Sequence, residues 1–285
     1  MPLIIGTRNS KLALIQANTV KNALENRGYK VEIKGFTSAG DANRSIPLYR
    51  MSSTGVFVDE LNARILGGEI DLAVHSAKDI PSNIQEGLEI TSTIKRDDFR
   101  DVLISEIPFK EMEEGYIIGT SSMRRIRQAK TLNSKITVSD IRGNIDSRIL
   151  KYTEKKYNGI IIAMAAYNRM ALNIKHFILP EDQFLPAPNQ GIIAIVGKKG
   201  SKPSAISKEI NHNETYKDMK NERFISTSLN LGCSMPVGIL SLNGKIRARF
   251  YSLKSDSYKD MEFNTDNLES AVNEIMEEIK YYGYF

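Results

Sequence analysis

The segment IDLAVHSAKDIP, residues 70–81, joins a buried-strand pattern to a cluster of reactive side chains. Residues 70–74 form a mainly apolar run of the length that buried strands have, and Pro81 prevents the strand from continuing. Four polar side chains stand between the run and the proline: His75, Ser76, Lys78 and Asp79. Such a cluster at a strand end indicates either a surface turn or the edge of a binding site.

The chain before this segment alternates between strand and helix patterns. Strands are predicted at residues 3–5, 29–36 and 70–74, and helices at 11–26 and 57–66. Ser10 can cap the first helix and Gly28 can end it. This order predicts a sheet rich in parallel pairs, with a ligand crevice at the carboxyl ends of its strands. Residues 38–55 are predicted to form a long polar loop, a kind of loop that is often functional or mobile.

A second run with the same alternation follows. Strands are predicted at residues 116–118, 135–138 and 159–163, and helices at 122–132 and 144–155. Both runs place polar residues directly after strands. We therefore predict an α/β fold with two periplasmic-binding-protein-like lobes around a cleft.

The last third of the chain changes pattern. Residues 192–196 read as a strand that returns to the first lobe, and residues 238–242, 246–253 and 260–264 read as three strands before a helix at 268–281. This order predicts a small α+β C-terminal domain. The expected domains are residues 1–94 with 192–208, residues 95–191, and residues 209–285.

The composition excludes several classes of protein. One cysteine, Cys233, and three histidines among 285 residues leave no material for an intrachain disulfide, a multi-thiolate metal site or a histidine-rich one. No apolar run approaches the roughly 20 residues of a transmembrane helix. The amino terminus lacks the basic region of a signal peptide, so we expect a cytosolic protein. Because cysteine and histidine are so few, we also expect no bound metal.

Arginines recur at strand ends and first helical turns. Arginine pairs bidentately with carboxylate or phosphate, and the net charge of +5 is compatible with an anionic ligand. The stretch GTSSMRR, residues 119–125, adds hydroxyl groups and helix-start N–H groups, which together favour anion binding. Surface ion pairing is the alternative for each single arginine. The candidates are Arg8, Arg124, Arg125, Arg142, Arg148 and Arg169.

Two further residues have a structural and a chemical interpretation. Asp79 can be a turn residue, or it can be a general acid or base and a cation stabiliser among the arginines. Cys233, in NLGCSMP, can be a small buried apolar residue, or it can serve as a nucleophile or a covalent attachment point. The residues alone leave both questions open.

Seven stretches, taken in order along nearly the whole chain, resemble signatures of the porphobilinogen deaminase (hydroxymethylbilane synthase) family. They are GTRNSKLALIQ, VHSAKDIP, RDDFRDVL, GTSSMRRIRQ, RGNIDSR, LPAPNQG and GCSMPVG. The resemblance implies a transferase of tetrapyrrole and heme biosynthesis. Such an enzyme would condense four porphobilinogen units, with loss of ammonia, into linear hydroxymethylbilane on a covalently bound dipyrromethane.

The resemblance also implies roles for individual residues. Cys233 would bind the dipyrromethane by a thioether, and Asp79 would be the catalytic carboxylate that stabilises the azafulvene cation. Each pyrrole carries an acetate and a propionate, so the cations and hydroxyls would bind carboxylates. The residues implied for the cofactor are Ser76, Lys78, Asp79, Thr120, Ser122, Arg124, Arg125 and Arg142. Those implied for the substrate are Arg8, Ser10, Arg142, Arg148 and Arg169.

Five positions depart from the family pattern. Thr54 stands where lysine is frequent, Asp146 and Ser147 replace Gly-Thr, and Ala166 and Asn189 stand where glycine is usual. None of them removes a core catalytic residue, so the departures bear on affinity and loop behaviour.

Two other functions remain possible at this level. A non-catalytic two-lobe binding protein for small polyanions would need neither Cys233 nor Asp79. A nucleic-acid binder would fit the basic charge, but no run of aromatic and basic residues and no tryptophan is present. We expect a monomer that acts on small molecules and binds neither nucleic acid nor membrane.

Overall fold

The computed structural model describes residues 1–37, 56–231, 235–252, 255 and 257–282, without the side chains of 56, 57 and 280–282. The predicted loop at 38–55, with Thr54, lies outside these residues, as does Cys233.

Strands and helices alternate through most of the described chain. The strands are β1 (Leu3–Arg8), β2 (Val31–Phe36), β3 (Leu72–Ser76), β4 (Leu88–Thr93), β5 (Asp101–Ser105), β6 (Ile117–Gly119), β7 (Thr137–Ser139), β8 (Gly159–Ala163), β9 (His176–Leu179), β10 (Ile193–Lys198), β11 (Val237–Leu242), β12 (Lys245–Tyr251) and β13 (Tyr258–Asn264). The helices are α1 (Lys11–Glu25), α2 (Val56–Leu66), α3 (Met123–Leu132), α4 (Ile145–Thr153), α5 (Met164–Arg169), α6 (Lys202–Lys208), α7 (Asn213–Ser228) and α8 (Leu268–Tyr282).

The first compact unit comprises Met1–Asp97 and Gly191–Met219. Its sheet has the strand order β2-β1-β3-β10-β4, in which β1 pairs in parallel with β2 and β3, and β10 pairs antiparallel with β3 and β4. Side chains alternate across a strand. Leu72 and Val74 therefore pack in one core with α1, whereas Ala73 packs in another core with Leu61 and Ile65 of α2. Both faces of the sheet are covered.

The second compact unit comprises Asp98–Gln190 and Lys220–Phe285. Its larger sheet has the order β7-β6-β8-β5-β9, with β6 parallel to β7 and β8, and β5 antiparallel to β8 and β9. Every residue of β8 is buried, as expected for a central strand. The same unit holds the antiparallel sheet β11-β12-β13, whose core also takes Val272 and Ile275 of α8.

The predicted fold class is confirmed: the protein is α/β, with two five-stranded mixed sheets and a small α+β part near its carboxyl terminus. The sheets contain fewer parallel pairs than predicted, because β10 and β5 run antiparallel to their neighbours. The predicted domain limits, 1–94 with 192–208, 95–191 and 209–285, stay predictions. Contacts within the chain group residues 98–190 with 220–285, and the limit between the two units falls inside α7.

Among the described helices we find none whose length and hydrophobicity would let it span a bilayer.

Candidate active site

The first polar edge lies at the carboxyl ends of β1 and β3, which are parallel neighbours in the sheet. Arg8 is the last residue of β1, and Ser76 is the last residue of β3. A single 3-10 turn, Ala77–Asp79, follows Ser76 directly. In this turn Lys78 is half-buried and the Asp79 side chain is exposed. The predicted cluster is therefore at a strand end, and its carboxylate is open to solvent.

Gln16 of α1 supports this edge from the helix side, although it lies outside the residues predicted for the site. Its Nε2 donates to the Ser76 Oγ at 2.8 Å, and its side chain is buried. Ser76 does not cap the following turn with its side chain, so its hydroxyl is available to Gln16. A glutamine on the otherwise apolar buried face of α1 is the signal that could have revealed it.

His75 is a buried group beside the same edge. It precedes Ser76 in β3, and its Nε2 has no hydrogen-bond partner within the described chain. Burial, and then the charge of Arg8, lower the pKa of His75 to about 4. The imidazole is therefore neutral at pH 7 and adds no positive charge beside Arg8.

We expect His75 to make stability depend on pH between about 6.5 and 4. The unfolded chain binds a proton near pH 6.5 but the folded chain only near pH 4, so the unfolded state holds more protons in this range. Stability should therefore fall as the pH drops, by about 3 kcal/mol at most. Urea unfolding at pH 7 and pH 4.5 measures this difference. It should shrink in His75→Gln and persist in the control His212→Gln; equal differences in all three proteins would contradict the assignment.

The second polar edge lies at the carboxyl ends of β6 and β7, again parallel neighbours. Ser121 follows β6 and Ile141 follows β7. The Ser121 Oγ donates to the Ile141 carbonyl at 2.6 Å and accepts from the Ile141 N–H at 3.2 Å, which fixes the two loops side by side. Thr120 is buried and accepts from the Ser122 N–H, and Ser122 caps α3 by accepting from the Arg125 N–H.

Two predicted arginines come from the second of these loops and from α4. Arg142 Nε donates to Asp140 Oδ2 at 2.8 Å, and both side chains are substantially exposed. Gly143 follows with φ +109°, and a Cβ there would lie 2.8 Å from the Ser147 Cβ, so a side chain is excluded. Arg148 Nε donates to the Gly143 carbonyl at 2.8 Å. The glycine of RGNIDSR thus shapes the turn that holds both arginines.

Arg124 and Arg125 are held inside the fold by Asp101. The three side chains expose only 3%, 8% and 0% of their surface, respectively. Arg125 Nη2 lies 2.7 Å from Asp101 Oδ1, and Arg124 Nη1 lies 2.8 Å from Oδ2. Asp101 begins β5 opposite Ala163, the last residue of β8, so the cluster lies at the same edge of the sheet. The structure pairs these arginines with an internal carboxylate, and their binding of ligand carboxylates stays a prediction.

The charges in this cluster do not cancel. Burial alone would raise the pKa of the Asp101 carboxyl, but Arg124 and Arg125 outweigh it and hold the pKa at about 2. Burial lowers the pKa of Arg124. Gln190 Nε2 also donates to Asp101 Oδ1, at 2.8 Å. Two guanidinium groups around one carboxylate leave an excess of positive charge at the edge.

The other predicted residues have simpler positions. Ser10 caps α1, accepting from the Ala13 N–H. Arg169 is the last residue of α5, the helix that directly follows β8. Asn189 has φ +62°, a left-handed conformation that glycine prefers and asparagine tolerates, which explains the departure there.

Two other departures also have defined settings. Ala166 is buried in α5, and Asp146 is exposed in the first turn of α4.

Each unit thus gathers its own predicted residues at one sheet edge. Arg8, Ser76, Lys78 and Asp79 share the first edge, and Thr120, Ser122, Arg142 and Arg148 share the second with the Asp101 cluster. Within the described part of the chain, no three His, Cys, Asp or Glu side chains gather in a way that could hold a metal ion.

The chain is similar to known proteins. The family model described as "Porphobilinogen deaminase, dipyromethane cofactor binding domain" matches residues 3–205. A "Probable porphobilinogen deaminase" of Picrophilus torridus is 55% identical, with all of both chains covered, and one of Thermoplasma acidophilum is 44% identical over 98% of each. Among solved structures, the periplasmic VFT2 domain of Bordetella pertussis BvgS aligns with a TM-score of 0.42 and 15% identity, covering 79% of this chain and 91% of that one.

The family predicted from the seven motifs is therefore confirmed. The matched model takes in both polar edges, since residues 3–205 include every predicted site residue except Cys233. With a relative identical at more than half of its positions from end to end, the chain belongs to the porphobilinogen deaminase family.

Proposed function

We propose that the two polar edges serve the condensation of four porphobilinogen units into hydroxymethylbilane, with Asp79 as the catalytic carboxylate. The observation that carries this assignment is an exposed carboxylate on the turn after β3, at the edge that also holds Arg8 and Lys78. A carboxylate so placed can meet a cationic reacting group, while the basic groups around it attract the carboxylates of the same substrate.

Asp79 has two tasks in this reaction. Ammonia leaves porphobilinogen with the electron pair of the broken carbon–nitrogen bond, so a cation remains, and the Asp79 charge stabilises it. The carbon–carbon bond then forms and a pyrrole carbon loses its proton, which Asp79 can accept. Gln16 and Ser76 support the strand end that carries the turn.

The residues of the second edge fit the family's cofactor, a dipyrromethane that supplies the pyrrole carbon on which the chain grows. Its carboxylates require donors, and the Arg124 Nε is buried without a hydrogen-bond partner in the described residues. Thr120, Ser122 and Arg125 add hydroxyl and guanidinium groups at the same sheet edge. We assign Ser76, Lys78 and Asp79 to the same group, and its thioether attachment to Cys233.

The remaining cations are proposed as substrate ligands. Arg142 is the best placed, because within the described residues it pairs with the half-exposed Asp140, and a ligand carboxylate can compete for this pair. Arg8, Ser10, Arg148 and Arg169 are proposed to bind acetate and propionate groups as well. All of these residues come from one chain, so the proposed site requires only a monomer. We propose that this monomer acts in the cytosol and that its substrate is a small molecule.

Turnover of porphobilinogen tests this function. The wild-type protein should release ammonia and form hydroxymethylbilane. Arg142→Leu should bind substrate roughly 10- to 150-fold more weakly, since a lost charged hydrogen-bond partner costs about 1.5–3 kcal/mol. The control Lys156→Leu removes an exposed cation of the same unit and should leave turnover unchanged. If the wild type releases no ammonia, the proposed function is wrong. If Arg142→Leu binds substrate as tightly as wild type, Arg142 forms only a surface ion pair with Asp140.

A further inference from the structure

The crossover segment 185–190, the LPAPNQ of the sixth motif, is bound from the side of the arginine cluster. The Leu185 carbonyl accepts from Arg124 Nη1 at 2.7 Å and from Gln128 Nε2 at 3.0 Å. At the other end of the segment, Gln190 Nε2 donates to the Phe99 carbonyl at 2.9 Å as well as to Asp101. The segment is thus fixed to the cluster at both of its ends.

The opposite side of this segment lies against β11, the strand that contains the last residues of GCSMPVG. The Ile239 N–H donates to the Pro186 carbonyl at 3.1 Å. Beside it, a Cβ on Gly238 would lie 2.9 Å from the Leu185 carbonyl oxygen and 3.1 Å from that of Pro186. Both are backbone atoms, which cannot move aside as a flexible side chain can. Only glycine permits this approach. Gly238, the last glycine of the motif, therefore packs against the same Leu185 carbonyl group that accepts a hydrogen bond from Arg124.

Glu222 of α7 forms a second link between the crossover segment and β11. It is fully buried, accepts from the Asn189 N–H with Oε2, and accepts from the Ser241 N–H of β11 with Oε1 at 2.8 Å. One carboxylate therefore joins the crossover segment to β11. A buried carboxylate that accepts two backbone N–H groups gives a stronger and more directional link than a neutral acceptor.

We infer that Gly238 and Glu222 are positioning residues for the cofactor-attachment motif, seating its described end, residues 235–238, against the crossover segment next to Arg124. This inference rests on the proposed attachment at Cys233 and deepens it. Pro186 and Gly238 set the depth of the contact, and Glu222 fixes the register of the segment along β11. The described end of the motif thus lies in the unit that carries the arginine cluster, whose guanidinium groups are proposed to bind the cofactor carboxylates during loading.

Loading of apoprotein is the step that should respond. A displacement of about 1 Å can slow a positioned reaction by about 10²-fold. Apoprotein made in cells without porphobilinogen is mixed with porphobilinogen, and the mass gain on the chain is followed over time. Gly238→Ala and Glu222→Gln should load about 10- to 10²-fold more slowly than wild type.

The control for crowding is Gly159→Ala. Gly159 lies in β8 of the same unit, and a Cβ there meets neighbours at 3.0–3.1 Å, much as at Gly238. Both alanine variants should lose similar thermal stability, but only Gly238→Ala should load slowly. Glu214→Gln, on the exposed surface of α7, is the control for Glu222→Gln.

The outcomes separate this inference from the proposed function. The inference is supported if Gly238→Ala or Glu222→Gln loads more slowly than Gly159→Ala although its thermal unfolding midpoint is the same. Loading at the wild-type rate in every folded variant overturns it and leaves attachment at Cys233 intact. If the wild type gains no mass, the proposed attachment fails first, and the inference fails with it. Should Gly238→Ala not fold, Glu222→Gln alone decides by the same criterion.

Discussion

Asp79→Asn should slow ammonia release by at least about 10²-fold while substrate and cofactor binding stay largely intact. Asparagine keeps the shape and most of the hydrogen-bonding capacity of the side chain, but it can neither accept a proton nor carry a negative charge. General acid–base assistance contributes about 10²–10⁴-fold. The charge matters in addition, because Arg8 and Lys78 make this edge basic and we propose Asp79 as the anion that stabilises the cation left when ammonia departs.

Single-turnover ammonia release on cofactor-loaded protein measures the effect. Asp79→Glu keeps the charge and should retain more activity than Asp79→Asn. Glu86→Gln removes an exposed carboxylate from the same unit and should behave like wild type. If Asp79→Asn turns over within about threefold of wild type, well short of the acid–base range, Asp79 is a turn residue and another group carries the chemistry.

Asp101→Ala should destabilise the second unit by about 3–5 kcal/mol, because it leaves two buried guanidinium groups without their counter-charge. Arg124 and Arg125 both contact this carboxylate, and neither exposes a tenth of its side chain. The loss should be far larger than that of an exposed pair. Glu113→Gln breaks the exposed Lys135 pair and should cost about 0–1 kcal/mol.

The same carboxylate predicts the acid behaviour of the unit. The folded pKa of Asp101 is about 2, below its ordinary value of 3.8, so its contribution is complete above about pH 4 and is lost as the pH falls towards 2. Urea unfolding curves at pH 7 and through this acid range measure both effects. A loss in Asp101→Ala no larger than that in Glu113→Gln would contradict the assignment of the cluster as a buried charge centre.

The strands and helices with strong local periodicity were predictable from the sequence. The α1 pattern with Ser10 before it, and the three strands and final helix of the carboxyl-terminal part, lie within a few residues of their predicted limits. Strands β4, β5 and β9 were not predicted. The β5 strand follows a charged run and begins with Asp101, and β9 has four residues of which only one is buried. Their place depends on non-local antiparallel pairing, which no local pattern encodes.

The candidate site divides in the same way. The sequence predicts polar groups after β3 and β6, because a motif that follows an apolar run is visible locally. The roles of Gln16 and Asp101 cannot be predicted from a local pattern, because each depends on a partner distant in sequence. These partners are Ser76 and Arg125, respectively. Gly238 is similar, because the backbone that excludes its side chain lies 53 residues earlier, at Leu185.

Intact mass of the purified protein decides whether the cofactor is attached at Cys233. We expect wild type to exceed its sequence mass of 32.0 kDa by two linked pyrroles, and Cys233→Ser to run at its bare sequence mass and to make no hydroxymethylbilane. Cys233 is the chain's only thiol, so no other cysteine can take over the attachment. Bare sequence mass for both proteins, with turnover of porphobilinogen retained in both, would contradict the account.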